Sequence, residues 1–365
     1  MYSKFFKKSK RKSIVVYQDQ AGRSDKVEKR WNTKINWGID LTKGFKSILI
    51  KNYSKNPYSS GFFSRINIHI PFVIYKVKPK KLFFQGYADI SSWLILFFSI
   101  LFRIPSINWK GERVLKNDEN ISKLKIFILK YFFFNFCHKI FYSCKGNLEY
   151  LKKFNIPEDK LNPMNCSVNN SFFTQQYKIN EKKIKFLKKK YNISQNDKVI
   201  IIVSNFEKRK NIKSLLNIVP IIKNTNIKIL IVGNGNYKKD IQTYKKIYRN
   251  NIIISGFVDI KKISEYYSIS DLFVLLSTYD PSPKTLNEAL NFGLPCIVSK
   301  QIGTSEDLIK NGINGFVINN FDKYKVCNYV KRIFLHDGFK NKCLMYNKYK
   351  LKLYSPEQNA NVLFQ

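Results

Sequence analysis

Apolar residues in this chain come in short runs that polar or glycine residues close off. In the first half, "SIVVYQ" (13–18), "KLFFQGY" (81–87), "PSIN" followed by "KGE" (105–112) and "KIFYSC" (139–144) read as short strands. Longer apolar stretches alternate with them. "WLILFFSILF" (93–102) reads as a buried helix ending near Arg103 and Pro105, and "IFILKYFFFNF" (126–136), interrupted by Lys130, as another. Ten apolar residues are about half of what a membrane-spanning helix needs. "NIHIPFVIYKVKP" (67–79) looks like a helix leading to a strand, with His69 on the helix surface. After a lysine-rich stretch, "KINEKKIKFLKKKYNISQND" (178–197), expected as a linker plus a solvated helix, the rhythm restarts. "KVIIIVSNF" is a strand, "NIKSLLNIVPIIK" a helix containing a proline, and "IKILIVGNGN" a strand into a glycine turn. "NIIISGFV", "ISEYYSIS" and "DLFVLLST" continue as strand, helix and strand, and "YSPEQNANVLFQ" (354–365) reads as a final helix. Such alternation predicts parallel sheets covered by helices, hence an α/β chain of two doubly wound domains facing one another across a cleft.

Composition narrows the chemistry. The 365 residues suffice for two domains, and 44% hydrophobic with 15% aromatic residues argues for folded protein. The formal charge is +40, and all but nine of the 65 basic residues are lysine. So large an excess should draw the chain to anionic partners: phosphates, nucleic acid or an acidic membrane surface. Nucleic acid is the weaker candidate, because the aromatics sit in apolar runs rather than alternating with basic residues. The start "KFFKKSKRK" (4–12) and the aromatic runs suggest peripheral contact with anionic membrane. Six cysteines show no C-x₂-C pair and no clustering with histidine, so no metal site is expected and a reduced cytoplasmic setting is the default. A secretory signal is not expected either.

The densest chemistry lies in "STYDPSPKTLNEALNFGLPCIVS" (277–299). A strand delivers Asp280 to the carboxyl edge of a sheet, Pro281 and Pro283 hold a turn, and a helix starts at "KTLNEAL". Free amides at such a helix start suit a diphosphate. Asp280 can accept hydrogen bonds from sugar hydroxyls, and Glu288 from the two hydroxyls of a ribose. Taken alone, the two acids fit an ordinary helix start equally well.

The stretch "YDPSPKTLNEALNFGLPCIVSKQIGTSEDLIKNGINGFV" resembles the E-x₇-E region of family 4 of the retaining, nucleotide-sugar-dependent glycosyltransferases, which have the GT-B fold. "VSNFEKRKNIKSLL", "VGNGN", "SGFV" and "SDLFVLLS" match the same family in order and spacing. The resemblance implies an acceptor-binding Rossmann-like domain over 1–175, a donor-binding one over 176–342, and a C-terminal helix, 343–365, crossing back to the first. It implies that Lys210 meets the donor diphosphate and neutralises charge on the leaving group. Asn205 stands where many members carry an arginine, and Arg209 either compensates or points to solvent. Asp280 replaces the first Glu and Glu288 matches the second. Pro283, Lys284 and Thr285 stand where members present amides to the sugar and diphosphate, with Pro283 having none to give. Gly233 and Gly235 match a loop near the nucleotide, although a plain tight turn explains them as well. Asn169 stands where an Asp is usual, and Glu112, after a strand, is the candidate acceptor contact.

Members begin with a strand and a glycine-rich turn, whereas the first strand legible here resembles the family's second. Either the start is truncated or the first domain lacks that strand. The activity implied is retaining, metal-independent transfer of a sugar from a nucleoside-diphosphate sugar, a substrate rather than a cofactor, to a glycan or lipid-linked acceptor in cell-surface polysaccharide or lipopolysaccharide synthesis. No D-x-D occurs in the chain. The alternatives are a degenerate, non-catalytic relative that binds sugar nucleotides and a basic nucleic-acid binder. The expected location is the cytoplasm, at the membrane's cytoplasmic face if the basic surface docks there.

Overall fold

The computed structural model describes residues 13–19, 27–28, 33–34, 45–57, 61–116, 119–260, 262–336 and 338–364; the basic start 4–12 lies outside them. The chain divides into two compact units, Met1–Asn165 with Asn359–Gln365, and Cys166–Gln358. The division falls before the expected boundary at 175 because Val168 and Phe173 are already buried in the second core. The helix Phe339–Leu353 also stays with the second unit, burying Cys343 and Leu351 there, so the return begins at Asn359 rather than 343. Within the first unit Asn359 Nδ2 donates to the carbonyl of Asn165 (2.7 Å).

In the first unit β1 (Ile14–Tyr17) pairs in parallel with β4 (Lys46–Leu49), while β2 (Val27–Glu28) and β3 (Thr33–Lys34) form a short antiparallel ladder. A separate parallel sheet holds β5 (Lys81–Gln85), β6 (Ser106–Gly111), β7 (Lys139–Tyr142) and β8 (Leu161–Pro163) in that order. "PSIN" and "KGE" thus belong to one strand. Trp109, Phe133, Phe134, Tyr150 and Phe154 fill the core beside this sheet, and Trp109 Nε1 donates to the carbonyl of Gly86 (2.7 Å). Among the described residues no hydrogen-bonded ladder joins β1 to β5. Both line a cavity of about 480 Å³ together with the helix Ile70–Val77.

Two expectations about this unit fail. The helix Ile90–Leu101 is buried on one face only, since Phe97, Ile100 and Leu101 are exposed. The helix Lys123–Phe132 likewise exposes Leu124, Phe127, Tyr131 and Phe132.

The second unit carries six parallel strands, β9 (Lys198–Val203), β10 (Ile227–Val232), β11 (Ile252–Gly256), β12 (Leu272–Leu275), β13 (Cys296–Ser299) and β14 (Gly315–Ile318). Their order is β11-β10-β9-β12-β13-β14. Central strands covered on both faces must be apolar throughout, and Val199–Ile202, Ile229–Val232 and Leu272–Leu275 are all buried. From β9 the chain steps outward to β10 and β11, then crosses back to β12 on the other side. The strand order therefore reverses between β9 and β12, which pair at Leu272↔Ile200 and Phe273↔Ile201. The expected proline-containing helix is two short ones, Ile212–Leu216 and Val219–Ile222. Pro220 has no amide to donate and its ring crowds the carbonyl four residues back, so one continuous helix cannot run through it. Nor is the lysine-rich stretch a linker. Leu187 and Ile193 enter the second core, and buried Lys188 donates through Nζ to the carbonyls of Gln195 (3.1 Å) and Asp197 (2.8 Å).

Candidate functional site

In an open parallel sheet, ligands bind beyond the carboxyl ends of the strands where the order reverses, because the loops there diverge and leave a crevice. In the second unit those loops follow β9 and β12, and they carry Lys210 and Asp280. The two are bonded, Lys210 Nζ donating to Asp280 Oδ2. Both are largely buried, Lys210 9% and Asp280 5% exposed. Arg209 joins them, with Nη1 3.9 Å from Asp280 Oδ2, 3.3 Å from the carbonyl of Tyr279, and Nε 2.6 Å from Glu207 Oε2. It is therefore turned into the site rather than to solvent. Backbone bonds fix this arrangement: the Thr278 amide donates to the Arg209 carbonyl (2.8 Å), the Asp280 amide to Gln301 (3.3 Å), and the Gly303 amide to Asp280 (2.9 Å).

The helix Lys284–Asn291 starts four residues beyond Asp280, with Pro283 as its cap. Lys284 is exposed and Thr285 half-buried. Glu288 accepts a hydrogen bond on Oε2 from the Tyr267 hydroxyl (2.9 Å). Burial pushes the Glu288 carboxyl above its ordinary range, against the pull of the Tyr267 bond and the Lys284 charge. Tyr267 itself is buried and stacked on Phe292 (5.2 Å between ring centres).

Asn205 is half-buried at the end of β9. Gly233 and Gly235 have φ of +143° and +150°. A Cβ at Gly233 would stand 1.9 Å from the Ser204 carbonyl oxygen, and one at Gly235 2.8 Å from that of Phe206. The Phe206 amide donates to Asn234 (2.8 Å) and the Tyr237 amide to Phe206 (3.1 Å). These glycines let the loops after β9 and β10 lie against each other, which sets the position of Asn205.

Spacing did not single out Tyr267, since one tyrosine on an apolar helix reads as core. The polar atoms around Asp280 were also missed. Ser204 Oγ, Ser282 Oγ, Gln301 Oε1 and Thr304 Oγ1 are buried with no hydrogen-bond partner. Four orphaned polar atoms on the loops around one ion pair are costly unless something bonds to them.

In the first unit Glu112 is exposed and stands 3.8 Å from Lys110 Nζ. Its neighbour is more constrained. Arg113 pairs with Glu119, lies 5.5 Å over the Tyr150 ring, and holds its carbonyl 2.6 Å from Asn147 Nδ2. The Tyr150 and Tyr87 hydroxyls share a hydrogen bond, and burial pushes the Tyr150 hydroxyl far up. Lys125, its pKa lowered by burial and by Arg113, lies 6.0 Å over Tyr87. These groups sit beyond the carboxyl ends of β5, β6 and β7. His69 only precedes the helix Ile70–Val77 and rests against Tyr53. Asn169 caps the helix Asn170–Glu181 through the Phe172 amide (3.2 Å).

Residues 183–351 match the family model for glycosyl transferases group 1. An uncharacterized glycosyltransferase of Methanocaldococcus jannaschii is 27% identical over 214 residues, 56% of this chain and 52% of its own. The N-acetyl-alpha-D-glucosaminyl L-malate synthase of Bacillus anthracis is 31% identical over 134 residues, 36% of this chain and 34% of its own. The chain thus spans about half the length, or less, of these curated relatives. Among solved structures, Anabaena HepE in complex with UDP aligns with a TM-score of 0.72 at 12% identity, covering 88% of this chain and 85% of HepE. That likeness is one of fold, the GT-B arrangement of two Rossmann-like domains.

Proposed function

We propose that the chain is a glycosyl transferase of group 1, the family whose model residues 183–351 match, that the second unit binds a nucleoside-diphosphate sugar, and that the chain transfers the sugar to a glycan or lipid-linked acceptor. The carrying observation is the buried Lys210–Asp280 pair at the strand-order reversal, beside the start of the helix Lys284–Asn291. That HepE is solved with UDP supports the choice of ligand.

In this reading Asp280 holds Lys210 in position until the donor arrives. Lys210, Arg209 and the amides of Lys284 and Thr285 then face the diphosphate, with Asn205 alongside. Asp280 takes sugar hydroxyls, Glu288 the ribose, and the Gly233–Gly235 turn borders the nucleotide. The bond from the anomeric carbon to the diphosphate oxygen breaks with its electron pair going to that oxygen, and the acceptor oxygen bonds to the carbon while its proton passes to the departing diphosphate. Cations fixed in a poorly hydrated site stabilise the charge on the departing diphosphate without reorganising. We extend the proposal to retention of anomeric configuration, to transfer that needs no metal, and to cell-surface polysaccharide or lipopolysaccharide synthesis on the cytoplasmic side. For the acceptor the first unit offers Glu112 and the adjoining Arg113–Glu119 pair.

The test pairs a panel of UDP-, GDP- and ADP-sugars, followed by mass spectrometry, with titration of two variants. Glu288→Gln should weaken the free nucleoside diphosphate and the intact donor alike, since both contain ribose. Asp280→Asn should weaken only the intact donor, by roughly 10- to 100-fold for a hydrogen bond to a charged group. If both variants affect both ligands equally, the residue roles are wrong. A donor bound without turnover would favour the non-catalytic reading, to which the gap between β1 and β5 lends weight. No donor bound at all would end the proposal.

A further inference from the structure

The helix Ile90–Leu101 is amphipathic the wrong way round. Its buried residues include Ser91, Ser92 and Ser99 besides Ile95 and Leu96, whereas Phe97 and Leu101 are 59% and 57% exposed. Ser91 bonds to Asn67 Oδ1 (2.8 Å) and Ser92 to Asp89 Oδ1 (3.1 Å), but buried Ser99 Oγ has no partner. A surface helix turns its polar side to water. This one turns three serines inward and leaves Phe97, Ile100 and Leu101 outside, with Trp93 and Phe98 only partly covered.

The apolar face continues beyond the helix. Phe97 meets Phe98 (5.1 Å between ring centres), Phe98 meets Phe102 (5.7 Å), and Phe102 meets Tyr75 (5.7 Å). Tyr75 and Phe72, both exposed, stand on the helix Ile70–Val77, which packs against Ile90–Leu101. Lysines lie over these rings, Lys76 Nζ 5.7 Å from Phe72 and Lys78 Nζ 5.2 Å from Tyr75. Neither helix carries an acidic residue. A contiguous apolar face of this kind marks a surface that something covers.

Its chemistry selects the cover. Exposed rings with ammonium groups close above them fit a lipid interface, where the rings enter the acyl boundary and the lysines meet headgroup phosphates. No helix among the described residues is long and apolar enough to cross a membrane. A second copy of the chain is the poorer partner, since pairing would bring two surfaces of +40 proteins together. We propose that the face formed by Ile70–Val77, Ile90–Leu101 and Phe102 docks the chain on an anionic lipid bilayer. The inference stands on the first unit alone and does not depend on the donor reading.

The test is co-sedimentation of the full chain with vesicles of phosphatidylcholine alone or with about one third phosphatidylglycerol. The wild type should bind the anionic vesicles. Phe97→Ser with Leu101→Ser should weaken that binding by about tenfold or more, because two exposed apolar side chains no longer leave water. Its melting temperature should not change, as neither side chain is buried. A control losing comparable exposed rings elsewhere, Phe257→Ser with Tyr324→Ser, should bind like the wild type. Lys76→Gln with Lys78→Gln should weaken binding to the anionic vesicles only. The proposal is overturned if the Phe97 and Leu101 variant sediments like the wild type, or if both vesicle types bind equally. It is also overturned if the wild type self-associates in solution and that variant alone becomes monomeric.

Discussion

Breaking a buried ion pair by removing one partner costs about 3–5 kcal/mol, because the other charge stays in place unpaired. Lys210→Ala should therefore lose stability as well as turnover, Arg209 at 3.9 Å being a distant substitute for Asp280. Lys210→Ala combined with Asp280→Ala removes both charges. Denaturant melts should show most of the stability restored, while turnover stays down by about 10²-fold for the lost electrostatic contact. Recovery of turnover in the double variant would make the pair structural only. Glu288 yields a pH signature. Its folded pKa is raised by burial, so its contribution to stability is complete below the ordinary carboxyl range and is lost as pH rises through the folded value. Glu288→Gln, which still accepts from Tyr267, should gain progressively on the wild type in melting temperature over the pH range above the ordinary carboxyl value. A constant difference across that range would refute the assignment. Lys210, Asp280 and Glu288 were legible because a strand, a proline turn and a helix fix their spacing along the chain. Tyr267 and the orphaned hydroxyls were not, since contacts between loops distant in sequence leave no local pattern.

Strands were the better-read elements. The runs ending in Ser204, Gly233, Gly256 and Ser277 are strands as expected, because a strand buried on both faces must be apolar at every position. Helices at 93–102 and 126–136 were misread as buried for a matching reason: apolar content says that a surface avoids water, not what it meets instead. The 178–197 stretch failed in the opposite sense, since a few apolar residues among many lysines still anchor it. A further consequence lies in the first sheet, where β4 is the strand that pairs with β1 among the described residues and β1 lines a cavity. β9, by contrast, is bonded on both sides by β10 and β12. Elements with few ladder bonds and poor cover open at lower free energy. Amides of β1 and β4 should then exchange with solvent well before those of β9 and β10, as read by native-state hydrogen exchange. Equal protection would mean that the gap costs the sheet nothing.

The net charge of +40 was the most visible feature of the composition, yet the lysine of the proposed donor site is buried. Lys210 lies in a buried pair, where salt screens little, while Lys76 and Lys78 stand over exposed rings. Raising salt from about 0.1 M to about 1 M shortens the screening length from about 10 Å to about 3 Å. Contacts at the surface should fade over that range, and a contact among buried groups should persist. Binding of the chain to anionic vesicles should accordingly fall by at least about tenfold across it, while affinity for the nucleoside-diphosphate sugar changes by only a few-fold. Both can be measured on one preparation, by co-sedimentation and by calorimetry. Donor affinity falling in step with vesicle binding would mean that the diphosphate is held by the surface lysines at large, and the assignment to the Lys210–Asp280 crevice would fail.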